Sequence, residues 1–309
     1  MSTLLLHHSC YLDHLTPLGH PERPDRIRAI DRILEHEKFQ SVERDLAPVG
    51  ALEDIARAHP MSYVDQLHRL APDEGVARVD ADTTMSPGTW EAALRGAGGA
   101  CRAVDEVLTK KVDNAFSASR PPGHHAEKER AMGFCFFNNV AVAARYAQEK
   151  HGVGRVAIID FDVHHGNGTQ DIFWNDSSVM YCSTHQMPLY PGSGAASETG
   201  DANTIVNVPL APGEDGLAFK EAFEVAILPR LDDFAPEFVI ISAGFDAHAR
   251  DPLGGLNLVE ADFAWATRVL MDVADKHSNG HLISVLEGGY DLEGLARSTA
   301  AHVMTLMTG

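Results

Sequence analysis

The strongest constraint on the fold is a pattern that recurs four times along the chain. An apolar run with strand character ends each time in glycine and reactive side chains. Ala115 to Ala118 precedes Arg120-Pro121-Pro122-Gly123-His124-His125, and Val156 to Ile159 precedes Asp160 to His165. Phe238 to Ser242 precedes Ala243-Gly244-Phe245-Asp246, and Leu282 to Leu286 precedes Glu287-Gly288-Gly289-Tyr290. Between them lie helical patterns long enough to be crossovers, Asn139 to Lys150, Leu217 to Leu228 and Glu260 to Ala274. Strands alternating with helices predict a parallel sheet covered on both faces. In such sheets ligands sit beyond the carboxyl ends of the strands, so all four clusters are expected to converge there.

Upstream of this repeating part, Thr3 to Leu6 reads as a short strand and His7 to Pro24 as a loop. Asp25 to Glu37 reads as a helix with Ile27, Ile30, Ile33 and Leu34 on one face. Residues 51 to 70 read as one or two helices with a turn at His59-Pro60, and Trp90 to Leu108 as a longer helix rich in Ala and Gly. Internal repeats and Gly/Ser linkers are absent, which predicts one domain over residues 1 to 309.

The richest stretch is Val156 to Gly168, VAIIDFDVHHGNG. Strand side chains alternate faces, so Asp160, Asp162 and His164 point one way if the extended geometry persists. A catalytic zinc takes three protein ligands and keeps one position for water. Asp162, His164 and Asp246 supply three, and two carboxylates with an imidazole suit such a borderline cation. Asp160 is then free to hold an imidazole in the right tautomer. Adjacent His124 and His125 diverge in an extended chain, but the Pro121-Pro122-Gly123 turn allows a loop that brings both to the metal as base and proton donor. Tyr290, after Gly288-Gly289, is placed to donate to an oxyanion. Gly133-Phe134 and Tyr190-Pro191-Gly192 offer aromatic walls for a narrow channel. Taken singly, each motif has a plain alternative, an acidic turn, a core histidine or a loop-capping tyrosine; four clusters at equivalent strand ends favour the site.

Composition narrows the partners. Lys plus Arg number 25 and Asp plus Glu 44 in 309 residues, a formal charge of −19, which should repel nucleic acid and anionic membrane and welcome a cationic substrate. The four cysteines, Cys10, Cys101, Cys135 and Cys182, lack paired spacing, which fits a reducing cytoplasm. Leu4 to Leu6 is too short for a signal peptide, and no segment approaches a membrane span. The oligomeric state is left open by the sequence.

RPPGHHA (Arg120 to Ala126), GFCFFNN (Gly133 to Asn139), DFDVHHGNGTQ (Asp160 to Gln170), SAGFDAH (Ser242 to His248), DPLGG (Asp251 to Gly255) and LEGGYDL (Leu286 to Leu292) follow one another in order. Together with GHPERPDRIRAI (Gly19 to Ile30), they resemble the zinc-dependent histone deacetylase family, on its class II and bacterial side, with acetylpolyamine amidohydrolases among its relatives. The resemblance implies an arginase/deacetylase-type three-layer α/β fold with an eight-stranded parallel sheet flanked by helices. It implies zinc, or ferrous iron, on Asp162, His164 and Asp246, and a structural potassium on Asp160, Asp162, His164 and Ser183. His125 becomes the general base and His124, bonded to Asp160, its electrostatic partner. Asn167 follows the class II pattern, where other members carry aspartate. Tyr290 becomes the transition-state tyrosine, beside Gly289. Phe134 and Tyr190 become tunnel walls with Gly133, Asp82 a rim residue that binds the substrate backbone, and Arg26 part of an inner acetate channel.

The expected reaction is removal of acetyl or another short acyl group from lysine side chains of proteins or peptides. An acetylated polyamine is the rival substrate. Leu253 stands where the eukaryotic polyamine branch has a glutamate, which argues against that device. An arginase-like reading needs a second metal on a DxHxD run, and Gly166 stands where its last aspartate belongs. A non-catalytic acyl-lysine-binding protein requires a lost ligand or a lost Tyr290, and neither loss is seen.

Overall fold

The computed structural model describes residues 1–309. An eight-stranded parallel sheet forms its middle layer. Its strands are β1 (Thr3–His7), β2 (Glu43–Leu46), β5 (Asn114–Ser117), β6 (Val156–Asp160), β7 (Val179–Gln186), β8 (Ile205–Leu210), β9 (Phe238–Ala243) and β10 (Leu282–Leu286), in the order β2-β1-β5-β10-β9-β6-β7-β8. Two two-residue strands, β3 (Ala77–Arg78) and β4 (Thr84–Met85), pair antiparallel outside it. The four strands that carry the reactive clusters, β5, β10, β9 and β6, lie side by side at the centre.

These central strands are mostly apolar because both their faces are covered, with Asn114, Ser117, Asp160, Ser242 and Ser284 the polar exceptions. Side-chain alternation divides them between two cores. Phe116, Ala157, Ile159, Val239 and Ile241 join one cluster, while Ala115, Val156, Ile158, Phe238 and Ile240 join the other. Helices α1 (Asp25–Leu34), α9 (Glu260–His277) and α10 (Leu292–Thr308) close the first core. The second is closed by α3 (Met61–Leu70), α4 (Thr89–Leu108) and α5 (Asn139–His151). Four shorter helices, α2 (Leu52–Ile55), α6 (Asn167–Phe173), α7 (Gly216–Ala222) and α8 (Leu228–Phe234), complete the connections. The three-layer fold with an eight-stranded parallel sheet is the architecture expected from the sequence.

Three local expectations change. The helix read to Glu37 ends at Leu34, and a 3₁₀ turn, Glu37–Phe39, follows. The helix read as Leu217 to Leu228 is α7 and α8 joined by a π-helical turn, Phe223–Ile227. Pro229 lacks the N–H that would continue the ordinary ladder, which fits a change of register there. Strand β6 stops at Asp160, so alternation along a strand does not aim Asp162 and His164. A bend does so instead, in which Asp160 Oδ1 accepts from the Asp162 N–H at 3.0 Å and Asp162 Oδ1 from the His164 N–H at 2.9 Å. Short carboxylate side chains readily form such local turns.

Candidate active site

Every strand that carries a cluster delivers it to the same end of the sheet. His164 Nδ1 lies 3.1 Å from both Asp162 Oδ1 and Asp246 Oδ2. One donor atom from each of the three residues falls within 4.8 Å of the others, and all three side chains are buried. Two buried carboxylates with one imidazole lack enough positive charge on their own. The consequence is visible in their protonation: burial, then the Asp162 charge, pushes Asp246 up to about 7. His164 is pushed up to about 10 because both carboxylates outweigh its burial. A divalent cation relieves this crowding, and two oxygens with one nitrogen are a donor set that suits zinc or ferrous iron. Packing agrees, since a β-carbon at Gly244 or Gly288 would collide with the carboxylates of Asp162 and Asp246.

The two histidines do not diverge. Their ring centroids are 4.0 Å apart, but their partners differ. His124 Nδ1 meets Asp160 Oδ2 at 2.9 Å, and that oxygen also accepts from the Tyr181 hydroxyl at 3.1 Å. Burial opposes charge on His124, yet Asp162 and Asp160 override it and hold its pKa well above the usual imidazole value. His125 Nδ1 meets Asn167 Oδ1 at 2.8 Å. Burial, reinforced by His124 and His164, holds His125 well below the usual value. Two adjacent imidazoles thus carry opposite protonation preferences, the signature of an acid/base division of labour.

Tyr290 is held from behind. Its N–H donates to Asp251 Oδ2 at 2.7 Å, and the Arg26 guanidinium lies 4.9 Å from its ring centroid. Arg26 is fully buried, with Nε donating to Gly289 O at 2.6 Å and Nη2 to Glu287 O at 2.5 Å. Gly289 adopts φ +125°, a conformation that favours glycine and turns the phenol towards the cavity. Burial, despite Arg26, and the Asp246 and Asp162 charges hold the phenol well above its usual pKa, so it stays a donor.

A cavity of about 260 Å³ connects these groups to the surface, lined by Asp82, His125, Gly133, Phe134, His164, Leu189, Tyr190, Leu253 and Tyr290. Phe134 packs edge-on to Tyr290 at 5.9 Å and Tyr190 edge-on to His125 at 5.1 Å. Both Gly133 and Phe134 have left-handed backbones, φ +57° and +69°. Asp82 Oδ1 accepts from the Gly133 N–H at 3.2 Å and Thr83 Oγ1 from the Phe134 N–H at 3.0 Å, which fixes that wall. Ser183 lies opposite Asp160 in the β6–β7 register.

Sequence reasoning missed the residues that lock these groups together. Glu287 Oε2 accepts from the Gly123 N–H at 2.6 Å and the His124 N–H at 3.0 Å, tying the histidine loop to β10. Asp251 also accepts from the Leu253 N–H at 3.0 Å, so one carboxylate holds both Tyr290 and the rim. Glu22 bridges the buried guanidinium groups of Arg120 and Arg26, at 2.5 and 3.1 Å. The motifs EGGY, DPLGG and GHPER contained these acids, but the functional readings there fell on Gly289, Tyr290 and Leu253.

Comparison with known proteins agrees with the fold. The histone deacetylase domain family matches residues 20–306, and the chain belongs to that family. A probable deacetylase of Archaeoglobus fulgidus is 41% identical over 316 residues, covering 100% of this chain and 87% of the relative. The histone deacetylase-like amidohydrolase of Pseudomonas aeruginosa is 40% identical over 277 residues, covering 88% of this chain and 73% of the relative. The crystal structure of the HDA15 HD domain has a TM-score of 0.93 at 36% identity, covering 98% of this chain and 88% of that one. No helix is long and apolar enough to cross a membrane.

Proposed function

We propose that the chain, acting as one catalytic domain over residues 1–309, is a zinc-dependent amidohydrolase that removes acetyl or other short acyl groups from lysine side chains. The observation that carries this reading is the shared cavity. One cavity, walled by Phe134, Leu189, Tyr190 and Leu253, reaches His125, Tyr290 and His164, the last a member of the cluster that could hold a metal. An acyl-lysine has the matching shape, an aliphatic arm tipped by an amide.

Asp162, His164 and Asp246 would hold the zinc, for which ferrous iron is the alternative. When bound it supplies a Lewis acid beside the substrate carbonyl and lowers the pKa of water. His125 presents Nε2 as the proton acceptor, because its Nδ1 faces Asn167 Oδ1. His124, held by Asp160 at its Nδ1, stabilises developing negative charge and is the nearby proton source for the leaving amine. Tyr290 donates its phenolic proton in a hydrogen bond to the oxyanion. Phe134, Tyr190, Gly133 and Leu253 enclose the aliphatic arm, and Asp82 meets the substrate backbone at the rim. Arg26, behind Tyr290 and Gly289, belongs to an inner route for acetate. Potassium on Asp160, Asp162, His164 and Ser183 would brace the same bend. Four buried, unpaired cysteines support a reducing cytoplasmic setting.

The net charge of −19 favours one rival, a cationic acetylated polyamine in place of the peptide. Acetate release by the zinc-loaded protein from an acetyl-lysine peptide and from an acetylated polyamine, measured side by side, separates the two. The lysine reading expects a higher kcat/KM on the peptide. Preference for the polyamine overturns it and gives the acidic surface a functional role.

A further inference from the structure

The neutral form of His125 exists as two tautomers, and only one leaves Nε2 free to take a proton. Which one forms depends on the Asn167 side chain, whose amide can face the ring with its oxygen or its nitrogen. With the oxygen inward, His125 must donate from Nδ1 and Nε2 keeps its lone pair. With the nitrogen inward, Nδ1 becomes the acceptor, the proton moves to Nε2, and the base is lost. Asn167 alone does not decide between these states.

The decision comes from the outer end of the amide. Asn167 Nδ2 lies 2.8 Å from Glu127 Oε1 and 3.4 Å from Met132 Sδ. A carboxylate and a thioether accept hydrogen bonds and do not donate them, so both require the NH₂ group to point outward. The oxygen is thereby turned onto His125 Nδ1 at 2.8 Å. Glu127 itself is anchored. Its backbone forms a tight hairpin with Arg130, closed by Glu127 N–H to Arg130 O at 2.9 Å, and the next residue's N–H donates to Asp171 Oδ2 at 2.9 Å. Asn167 is buried and Glu127 half-buried, and both line a cavity of about 360 Å³ separate from the one that His125 lines.

We infer that Glu127 is a positioning residue that sets the tautomer of His125 by fixing the orientation of the Asn167 amide. The inference rests on the reading of His125 as general base and names the residue that keeps it competent. Hydrogen-bond polarity runs in one direction, from an acceptor-only anchor through an amide to an imidazole, and ends in a lone pair at Nε2. Partners of this kind, one step removed from the reacting groups, typically carry effects of about 10- to 100-fold.

The test combines a substitution cycle with a direct observation of the ring. Glu127→Ala should lower kcat on the acylated substrate by about 10- to 100-fold with KM little changed, since it leaves the channel walls intact. Glu127→Gln should keep kcat closer to wild type, because its carbonyl oxygen still accepts from Asn167. In an Asn167→Asp background the same change should reverse its sign. There the Glu127 carboxylate faces a second carboxylate, and Glu127→Gln supplies an NH₂ donor and raises activity. Nitrogen-15 NMR of the zinc-loaded protein should find the His125 proton on Nδ1, with the Nε2-protonated form appearing in Glu127→Ala. Equal effects of Glu127→Gln in both backgrounds overturn the assignment. So does a Glu127→Ala variant that is less stable yet keeps the tautomer and kcat. Because the tautomer is read without turnover, it decides the role of Glu127 even if neither acylated substrate is cleaved, an outcome that would sink the amidohydrolase reading instead.

Discussion

Tyr290 and His125 show how much of this chemistry resides in single atoms. The phenol oxygen is the one atom Tyr290→Phe removes, and the ring would keep its contacts with Phe134 and Arg26. Substrate should bind nearly as before, so KM should move little while kcat falls by about 100-fold or more, as for loss of an oxyanion donor. Steady-state kinetics on the acetyl-lysine peptide checks this, and near-normal turnover in Tyr290→Phe would remove Tyr290 from the mechanism. The residue types of this constellation were legible in the sequence because carboxylate, imidazole and phenol are rare combinations after buried strands. Their division of labour was not. Which histidine stays neutral depends on Asp160, Asp162 and Asn167 standing beside the rings in space, 36 to 42 residues away for the two direct side-chain contacts.

Elements were read best where their periodicity is strong. The apolar runs at Val156, Phe238 and Leu282 became the central strands, and their ends the site. Element junctions were read less well, because they are closed by buried polar groups rather than by pattern. His302 on α10 is one such closure. Its Nδ1 lies 2.6 Å from Thr267 Oγ1 on α9 and its Nε2 2.8 Å from Ser284 Oγ on β10. Burial lowers its pKa from 6.5 to about 3, so the folded protein keeps it neutral while the unfolded chain protonates it at mildly acid pH. More protons are then bound by the unfolded state between about pH 6.5 and pH 3, and stability falls as pH falls through that window. The slope for one such histidine is about 1.4 kcal/mol per pH unit. Denaturant melts at pH 7.5 and pH 5.5 should therefore lose about 1.4 kcal/mol less in His302→Gln than in wild type. An unchanged pH dependence in the variant would show that this junction does not carry the proton uptake.

At the scale of the whole molecule, the candidate ligand triad joins the bend after β6 to the loop after β9, two neighbouring strands in the central part of the sheet. A cation held there binds the folded chain and has no preformed site in the unfolded one, so metal and fold stabilise each other. At a free zinc concentration 1,000 times the dissociation constant, the gain is about 4 kcal/mol. Calorimetry should accordingly show a higher melting temperature with zinc than after chelation. In Asp246→Asn that zinc-dependent shift should shrink, together with the zinc retained on dialysis. Full retention of zinc by Asp246→Asn would refute the ligand assignment.

The sequence by itself determined the three-layer architecture, the four strand ends that meet and the identity of the reactive side chains. Those properties follow from local pattern, since burial on two faces demands continuous apolar strands and parallel pairing demands helices between them. Tertiary structure alone decided how the reactive groups are held. Glu287 reaches the His124 N–H across 163 residues, Arg26 reaches the Gly289 carbonyl across 263, and Glu127 reaches Asn167 across 40. A hydrogen bond has a donor end and an acceptor end only once two distant groups are brought together. The protonation states on which the site depends therefore exist in the folded molecule and not in the string of residues.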